Sequence, residues 1–465
     1  MGKVADRPWI RKSAVAFAIA AAAFARITSA AEDGGAPEPR PGPPLIYASP
    51  PRIADEVPAC SFVVPVCVKT AKSTPGQNVL FAIDAAERAW RMLTGVLGLP
   101  PPDVDPQTLA YDVYLTNDAP HGTFLAARDI RSRIDRARAF SVVDARMRAG
   151  CIAEGAIARE LARAILFRVA PATDEATAAA QTSALAELVV PCAGAMAADA
   201  VDAFQRRPER AVADALAGDP SAWPGASSPG GPLETLFARG ASLFWSRIDW
   251  AYGKSPGSII SATWALSPTM TESGARFWND KPDKFDVLRV SFKGALSTRS
   301  TVHDLFLDSA IARAFIGAAD DGIHAPESRT FGDAGRLPLD WEIPWPDKPR
   351  RIAPRTPVFP TGASYLVVKR EGAKPGARLR VEIEWEEHAL FRWAFVKLDA
   401  QGHELGRVVI GAPERATEAQ STLVDLDGVD RVLIVGANVG DPAYAFDPDD
   451  EIWESHAWLL TLAEE

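Results

Sequence analysis

The chain has 465 residues, which is enough for two or three domains with a substantial core. Its composition, with 47% hydrophobic and 24% charged residues, is that of a globular protein and excludes a collagen-like, wholly disordered or multi-span membrane chain. The formal charge of −10 argues against a nucleic-acid partner, because binding a phosphate backbone requires a cationic face.

The N-terminus has the pattern of a secretory signal peptide, which we assign to residues 1–30. Basic residues precede an apolar run over residues 14–25, and small residues follow at positions 28–31. The run is about a dozen residues long, too short to span a bilayer as a helix. We therefore expect a secreted or periplasmic protein with no stable membrane span after signal cleavage; a retained anchor is the alternative.

Export changes the interpretation of the four cysteines. In an oxidising compartment an even number of cysteines favours structural disulfides, and no CxxC spacing points to zinc or redox chemistry. Four cysteines allow three pairings, of which we favour Cys60 with Cys67, across a short hairpin, and Cys151 with Cys192, around two consecutive helices.

Proline content divides the mature chain into parts. Residues 31–58 and 341–360 are rich in proline and are expected to be extended linkers. Residues 59–340 are expected to form a mostly helical domain, and residues 361–465 a C-terminal antiparallel β-sandwich. The predicted fold class is therefore α+β, with a mostly helical peptidase-like domain followed by a sandwich.

Apolar spacing predicts the elements of the first domain in chain order. An amphipathic helix is expected over residues 76–98, stopped by Gly98 and the prolines after it, and a strand over 109–115. Long alanine-rich runs predict further helices over residues 150–169, 174–205, 233–252 and 302–318. Beyond the second linker, short β-branched and aromatic runs separated by glycine-containing turns predict the strands of the sandwich.

One helix carries a motif with chemical meaning. Residues 159–163 read Arg-Glu-Leu-Ala-Arg, and Glu187 follows on the next predicted helix. This pattern resembles the H-E-x-x-H motif of gluzincin-type zinc peptidases, with Arg159 and Arg163 at the positions of the two histidine ligands. The resemblance implies that Glu160 stands at the position of the general base and Glu187 at that of the third zinc ligand. The predicted helix over residues 80–97, followed by the strand over 111–115, also resembles the region before the family's zinc helix, and residues 236–253 resemble the helix after the third ligand.

The replaced ligands imply that the peptidase is inactive. A guanidinium group has no lone pair for zinc and repels a cation, so we expect no catalytic residues, no zinc and no cofactor. The chain would then act by binding an unknown protein or peptide ligand. In the alternative interpretation the domain is unrelated to peptidases, and Glu160 pairs with Arg163 on a solvated helix face.

Three further signals are weaker. Residues 253–257 match G-x-S-x-G, but Pro256 lacks the backbone N–H that an oxyanion hole after Ser255 requires. An acidic loop offers a candidate calcium site, and four tryptophans offer a sugar-stacking platform. An active hydrolase with an unrecognised site and a glycan-binding or adhesion protein therefore remain alternative functions. The calcium candidates are Asp447, Asp449 and Asp450, and the tryptophans are Trp385, Trp393, Trp453 and Trp458.

Overall fold

The computed structural model describes seven stretches of the chain, residues 42–190, 198–214, 236–294, 301–325, 328–410, 416–440 and 454–465. The predicted signal peptide lies outside them. Across these stretches, nine helices and three β-sheets are spread along the chain. The described protein is therefore mixed α/β, and the expectation of a mostly helical first domain is wrong.

The first sheet consists of β1 (Glu56–Cys60), β2 (Val66–Ala71), β3 (Tyr111–Leu115), β4 (Gly122–Arg128) and β5 (Ala137–Val143). Its strand order is β1-β2-β3-β5-β4. β2, β3 and β5 run parallel, while β1 and β4 pair antiparallel at the two edges. β3 is buried along its whole length, as expected for the centre of a sheet covered on both faces.

Sequence patterns predict β3 but miss most of the sheet around it. β2 and β5 are short runs without a clean polar and apolar alternation, because both of their faces are covered. β4 includes glycine and two consecutive alanines, which have low strand propensity. These strands depend on pairing with distant segments, which no local pattern reports.

Seven of the nine described helices lie in the predicted helical regions, which they divide differently, whereas the helices Ser258–Leu266 and Lys284–Gly294 were not predicted. The 76–98 region is an α-helix that continues as a π-helical turn over Arg91–Val96. The 174–205 region contains two helices rather than one. The helices are α1 (Gly76–Trp90), α2 (Cys151–Val169), α3 (Glu175–Val189), α4 (Ala198–Gln205), α5 (Leu236–Gly240), α6 (Ser242–Tyr252), α7 (Ser258–Leu266), α8 (Lys284–Gly294) and α9 (Val302–Arg313).

Helix α2, which carries the Arg-Glu-Leu-Ala-Arg motif, lies at the centre of the N-terminal core. It packs against β4 and β5 on one side and against α1 and α3 on others. Leu161, Ile165 and Leu166 are fully buried there, and each contributes about 1.5–3 kcal/mol through removal from water. A helix covered on several sides lacks a polar stripe, so the motif is not on a solvated face.

Two further sheets form the C-terminal part. Their strand orders are β11-β10-β13-β8-β6 and β12-β9-β14-β7, and a shared apolar core packs between them. Every pairing is antiparallel except that of β6 with β8. The strands are β6 (Trp341–Ile343), β7 (Arg350–Ile352), β8 (Ala363–Lys369), β9 (Leu379–Trp385), β10 (Phe391–Leu398), β11 (Glu404–Ile410), β12 (Glu418–Leu423), β13 (Arg431–Asn438) and β14 (Trp458–Glu464).

Both proline-rich segments contribute to the folded structure. The 341–360 segment supplies β6 and β7, one strand to each C-terminal sheet. In the 31–58 segment β1 begins at Glu56, and the Ala48 N–H donates to the Leu125 carbonyl of β4 over 2.8 Å. Short edge strands tolerate nearby prolines because one side of the backbone needs no ladder hydrogen bonds.

The C-terminal sheet that contains β8 and β10 also packs against the N-terminal core. The Tyr365 hydroxyl of β8 donates to the Ala310 carbonyl of α9 over 2.8 Å, and both residues are buried. Ala394 and Val396 of β10 belong to the same apolar cluster as α9. One face of this sheet therefore contacts helices, and the other contacts the second sheet.

The structure contains the predicted disulfide between Cys60 and Cys67, which joins the ends of β1 and β2. Cys151 is also disulfide-bonded, whereas its predicted partner Cys192 lies outside the described residues. In the described part of the chain, every helix is too short or too polar to cross a membrane.

Candidate functional site

Glu160, the second residue of the motif, is bound by Arg159 of α2 and by Thr123 of β4. The Glu160 carboxylate lies 2.8 Å from Nη2 of Arg159 and accepts a hydrogen bond of 2.7 Å from the Thr123 hydroxyl of β4. Glu160 is 6% exposed. The same Thr123 hydroxyl oxygen lies 2.9 Å from the Glu160 carbonyl oxygen, so both the side chain and the backbone of Glu160 lie against the edge strand.

Arg163 is paired with the next helix. Its guanidinium group contacts the Glu175 carboxylate at the start of α3 and lies over the Phe167 ring, 5.2 Å from the ring centroid. The alternative expectation of a Glu160–Arg163 pair on a solvated face is wrong, because Arg163 is buried and points to Glu175 instead. The motif's arginines thus act as structural cations that balance the carboxylates of Glu160 and Glu175.

Glu187, which the resemblance puts at the position of the third zinc ligand, lies against α6 and not beside Arg159 and Arg163. On α3 its carboxylate Oε1 accepts a 3.3 Å hydrogen bond from Ser242, the first residue of α6. Burial raises the pKa of Glu187 to about 7, although the Ser242 hydroxyl and the positive charge of Arg239 oppose that shift. The structure therefore brings Arg159, Glu160 and Arg163 together on α2 but directs Glu187 towards α6.

Glu187 lines a cavity of about 790 Å³ at the junction of the two halves of the protein, the N-terminal sheet with its helices and the pair of C-terminal sheets. The walls come from α3, α4, α6, α7, α9, the 3-10 helix over Ser328–Gly335 and the start of β8. A cavity of this size accommodates a ligand of several hundred daltons. Apolar side chains form much of the wall, among them Leu188, Leu243, Trp250, Ile260 and Phe306.

Several charged residues in the wall have internal partners. Arg247 donates to Asp308 over 2.7 Å and to the His324 carbonyl over 2.6 Å. Arg313 donates to Gln205 over 2.8 Å, and burial lowers its pKa to about 10. The sequence alone does not identify Arg247 and Arg313 as cavity residues, because a single arginine in an apolar helix forms no recognisable motif.

The G-x-S-x-G match also borders the cavity, as the loop between α6 and α7. Asp249 accepts from the backbone N–H groups of Gly257 and Ile259, at 2.5 and 2.8 Å, and so caps α7. Gly257 has a φ of 76°, a left-handed conformation that glycine adopts without strain. The loop follows a helix instead of a strand, and its geometry is that of a helix-to-helix turn, not of a nucleophile elbow.

The remaining candidate sites receive little support. Trp385, Trp393 and Trp458 are buried in the core between the C-terminal sheets, where they cannot stack on a sugar. The fourth tryptophan, Trp453, and the calcium candidates Asp447, Asp449 and Asp450 lie outside the described residues. Within the described stretches, no group of three or more His, Cys, Asp or Glu side chains could hold a metal ion.

Fold and site together define a mixed α/β protein with a largely apolar cavity at the junction of its two halves. No protein-family model matches the chain, and no curated protein matches it. Among solved structures, the chain is similar to the crystal structure of Aeromonas hydrophila PliG, a periplasmic lysozyme inhibitor of g-type lysozyme. The identity is 12%, the TM-score is 0.17, and the match covers 28% of this chain and 100% of PliG. A likeness at this level supports no inference about function.

Proposed function

We propose that this is an exported protein that acts by binding a peptide or protein ligand, on a scaffold related to gluzincin-type zinc peptidases but without their hydrolytic activity. The observation that carries the proposal is the pairing of Arg159 with Glu160 and of Arg163 with Glu175. The guanidinium groups stand where the family has imidazole ligands, and they neutralise the carboxylates that would otherwise attract a cation.

Export is supported by two independent features of the chain. Residues 1–30 have the order of charges, apolar run and small residues typical of a secretory signal. The Cys60–Cys67 disulfide is of a kind that persists in oxidising compartments, such as the periplasm or the extracellular space. We therefore assign the protein to the periplasm or the exterior of the cell.

The first experiment measures metal and cleavage in the same sample. Purified residues 31–465 are incubated with zinc, dialysed and analysed for metal, and are then tested against casein and a peptide library. We expect no stoichiometric zinc and no cleavage. One zinc per chain together with chelator-sensitive cleavage would refute the proposal.

A second experiment tests whether the two arginines are what keeps zinc out of this site, by placing imidazoles at their positions. The double variant Arg159→His/Arg163→His places two imidazoles one helical turn apart, next to Glu175, which already lies against position 163. Two imidazoles and one carboxylate make three protein ligands, the number that catalytic zinc sites have. We expect about one zinc per chain, and none in the matched control Arg159→Asn/Arg163→Asn; a folded His variant that takes up no zinc would show that the arginines do not decide the lack of zinc.

A hydrolase is the second candidate function, and Glu187 is the residue that favours it. A carboxyl group with a pKa of about 7 on a cavity wall is suited to proton transfer near neutral pH. A hydrolase of this kind would lose turnover in Glu187→Gln while retaining ligand affinity. The library assay separates the two functions, since only a hydrolase releases products.

A further inference from the structure

The charged side chains on the cavity wall differ in how many hydrogen-bond or ion-pair partners they have within the protein. Arg247 is held by Asp308, Arg313 by Gln205, and Asp249 by the N-terminal backbone of α7. Each of these groups already has partners at hydrogen-bonding distance, so a ligand would have to displace an existing contact to bind it. These groups line the cavity, but we do not expect them to be the main binding partners of a charged ligand.

Glu187 differs from these groups. Ser242 donates to its Oε1 atom, and Oε2 has no hydrogen-bond donor or ion pair among the residues that the structure describes. The side chain is half-buried and lines the cavity. Because no described protein group donates to Oε2, a ligand N–H can take the place of water at this atom, and a charged donor there forms a charge-assisted hydrogen bond.

The surroundings of Glu187 restrict the rest of the ligand. Leu188 lies next to it on α3, and Leu243 and Trp250 line the cavity from α6. These side chains favour an apolar ligand body, because burying it removes apolar surface from water. A ligand that carried a carboxylate at the same end would instead be repelled by Glu187.

We infer that the cavity binds the ammonium group of a ligand whose remaining body is apolar, with the ammonium against Glu187. This inference rests on the proposed binding function and names the chemistry of its ligand. The ammonium group has three donors, which can satisfy Oε2 and still reach other acceptors on the wall. A peptide N-terminus followed by apolar residues and a free alkylamine both present this chemistry.

Paired ligands that differ only at the amine test the inference on the unmodified chain. Titration calorimetry on residues 31–465 compares Leu-Leu-Leu-amide with its N-acetylated form, and n-octylamine with n-octanol and octanoate. We expect the free amine of each pair to bind about 10–100-fold more tightly, the effect of a charge-assisted hydrogen bond in an enclosed site. The peptide and alkylamine arms then show which source the cavity prefers.

Two variants and one control variant locate the binding site. Glu187→Gln should reduce the affinity for the free amine to that of the acetylated peptide, whereas Glu384→Gln, on the exposed face of β9, should leave it unchanged. Ser246→Trp, which projects into the cavity from α6, should weaken every probe. Thermal melts confirm that each variant is folded, and the ligand pairs test the inference even if Glu187→Gln is not.

The outcomes separate this inference from the function on which it rests. Equal affinity of free and acetylated peptides, unchanged affinity in Glu187→Gln, or no binding of any amine would overturn the ammonium inference. Binding of the acetylated peptide without cleavage would still support a binding protein. Release of cleaved peptide would instead overturn the proposed function.

Discussion

The Nε2 atom of His324 lies 2.7 Å from Oε2 of Glu404, so a buried histidine after α9 contacts the edge strand β11 of the C-terminal sheet. Its Nδ1 atom lies 2.8 Å from the carboxylate of Asp321, and its ring stacks on Phe315 with the centroids 4.0 Å apart. Arg407 completes the cluster from β11. This polar cluster joins the two halves beside the cavity.

The first prediction concerns the acid stability of this junction. Burial alone would raise the pKa of Glu404, but hydrogen bonds from His324 and Arg407 lower it to about 2, against an ordinary value of 4.5. A carboxylate with a lowered pKa stabilises the fold above pH 4.5, and that contribution is lost as the pH falls towards 2. We expect Glu404→Gln to lower the free energy of unfolding at pH 7 by about 1–3 kcal/mol.

Urea denaturation from pH 7 down to pH 2 measures this effect. The variant should show a flatter decline below pH 4.5 than the parent chain does. Glu384→Gln, at an exposed site on β9, should follow the parent curve and serves as the control. Parallel curves for Glu404→Gln and the parent chain would mean that the junction contributes no acid sensitivity.

The second prediction concerns the Cys60–Cys67 disulfide. It links the paired ends of β1 and β2 and closes a loop with a sequence separation of 7. For such a short loop the chain-entropy relation gives about 2–3 kcal/mol of stabilisation. The double variant Cys60→Ala/Cys67→Ala should lose about this amount in urea denaturation, and an unchanged midpoint would show that β1 is not coupled to global unfolding.

The third prediction concerns the close approach of two helices. A Cβ atom added to Gly240, at the end of α5, would lie 2.0 Å from the Ala200 carbonyl oxygen and 2.6 Å from the Phe204 Cβ of α4. Gly240→Ala should therefore destabilise the fold by about 1–3 kcal/mol. The matched control is Gly95→Ala, where nothing lies within 4 Å and helix propensity should add about 0.5–1 kcal/mol. Thermal melts that move in the same direction for both would contradict this assignment of the helix contact.

The fourth prediction concerns Lys284, at the start of α8. The residue is 2% exposed, its ammonium donates to the Ser267 hydroxyl, and burial lowers its pKa to about 7 despite the charges of Asp283 and Asp174. The unfolded chain binds this proton up to about pH 10.5, so unfolding takes up a proton between pH 7 and 10.5 and stability rises with pH.

Replacing Lys284 with methionine removes this dependence while keeping a similar volume. Between pH 7 and pH 9 the free energy of unfolding should rise by about 2 kcal/mol less in Lys284→Met than in the parent chain. Guanidinium denaturation at the two pH values measures the difference. An equal rise in both proteins would show that Lys284 keeps its proton throughout this range.

Local sequence patterns predicted much of the helical structure. The 150–169 prediction corresponds to α2, and the 76–98 prediction corresponds to α1 and its π-helical continuation. Alternation identified several C-terminal strands, of which β9 is the clearest, with apolar residues facing the core at every second position. These features depend on interactions within a few residues, which the spacing of apolar and polar side chains records.

The candidate site was only partly predictable. The motif placed Arg159, Glu160 and Arg163 on one helix, as found, but it did not show that Arg163 would pair with Glu175. Nor did it show that Glu187 would turn to Ser242 and line a cavity. A side chain's partner depends on how its helix is rotated against neighbours far away in sequence.

The amino-acid sequence by itself determined most of the helices and the absence of a histidine pair on α2, and it favoured the hairpin disulfide, because each follows from residue identity over a short span. Tertiary structure alone decided the mixed first sheet, the packing of the C-terminal sheet against α9, and the cavity. β2, β4 and β5 become strands because pairing between segments far apart in the chain satisfies their backbone groups and buries their side chains. That gain exists only once the distant segments have come together.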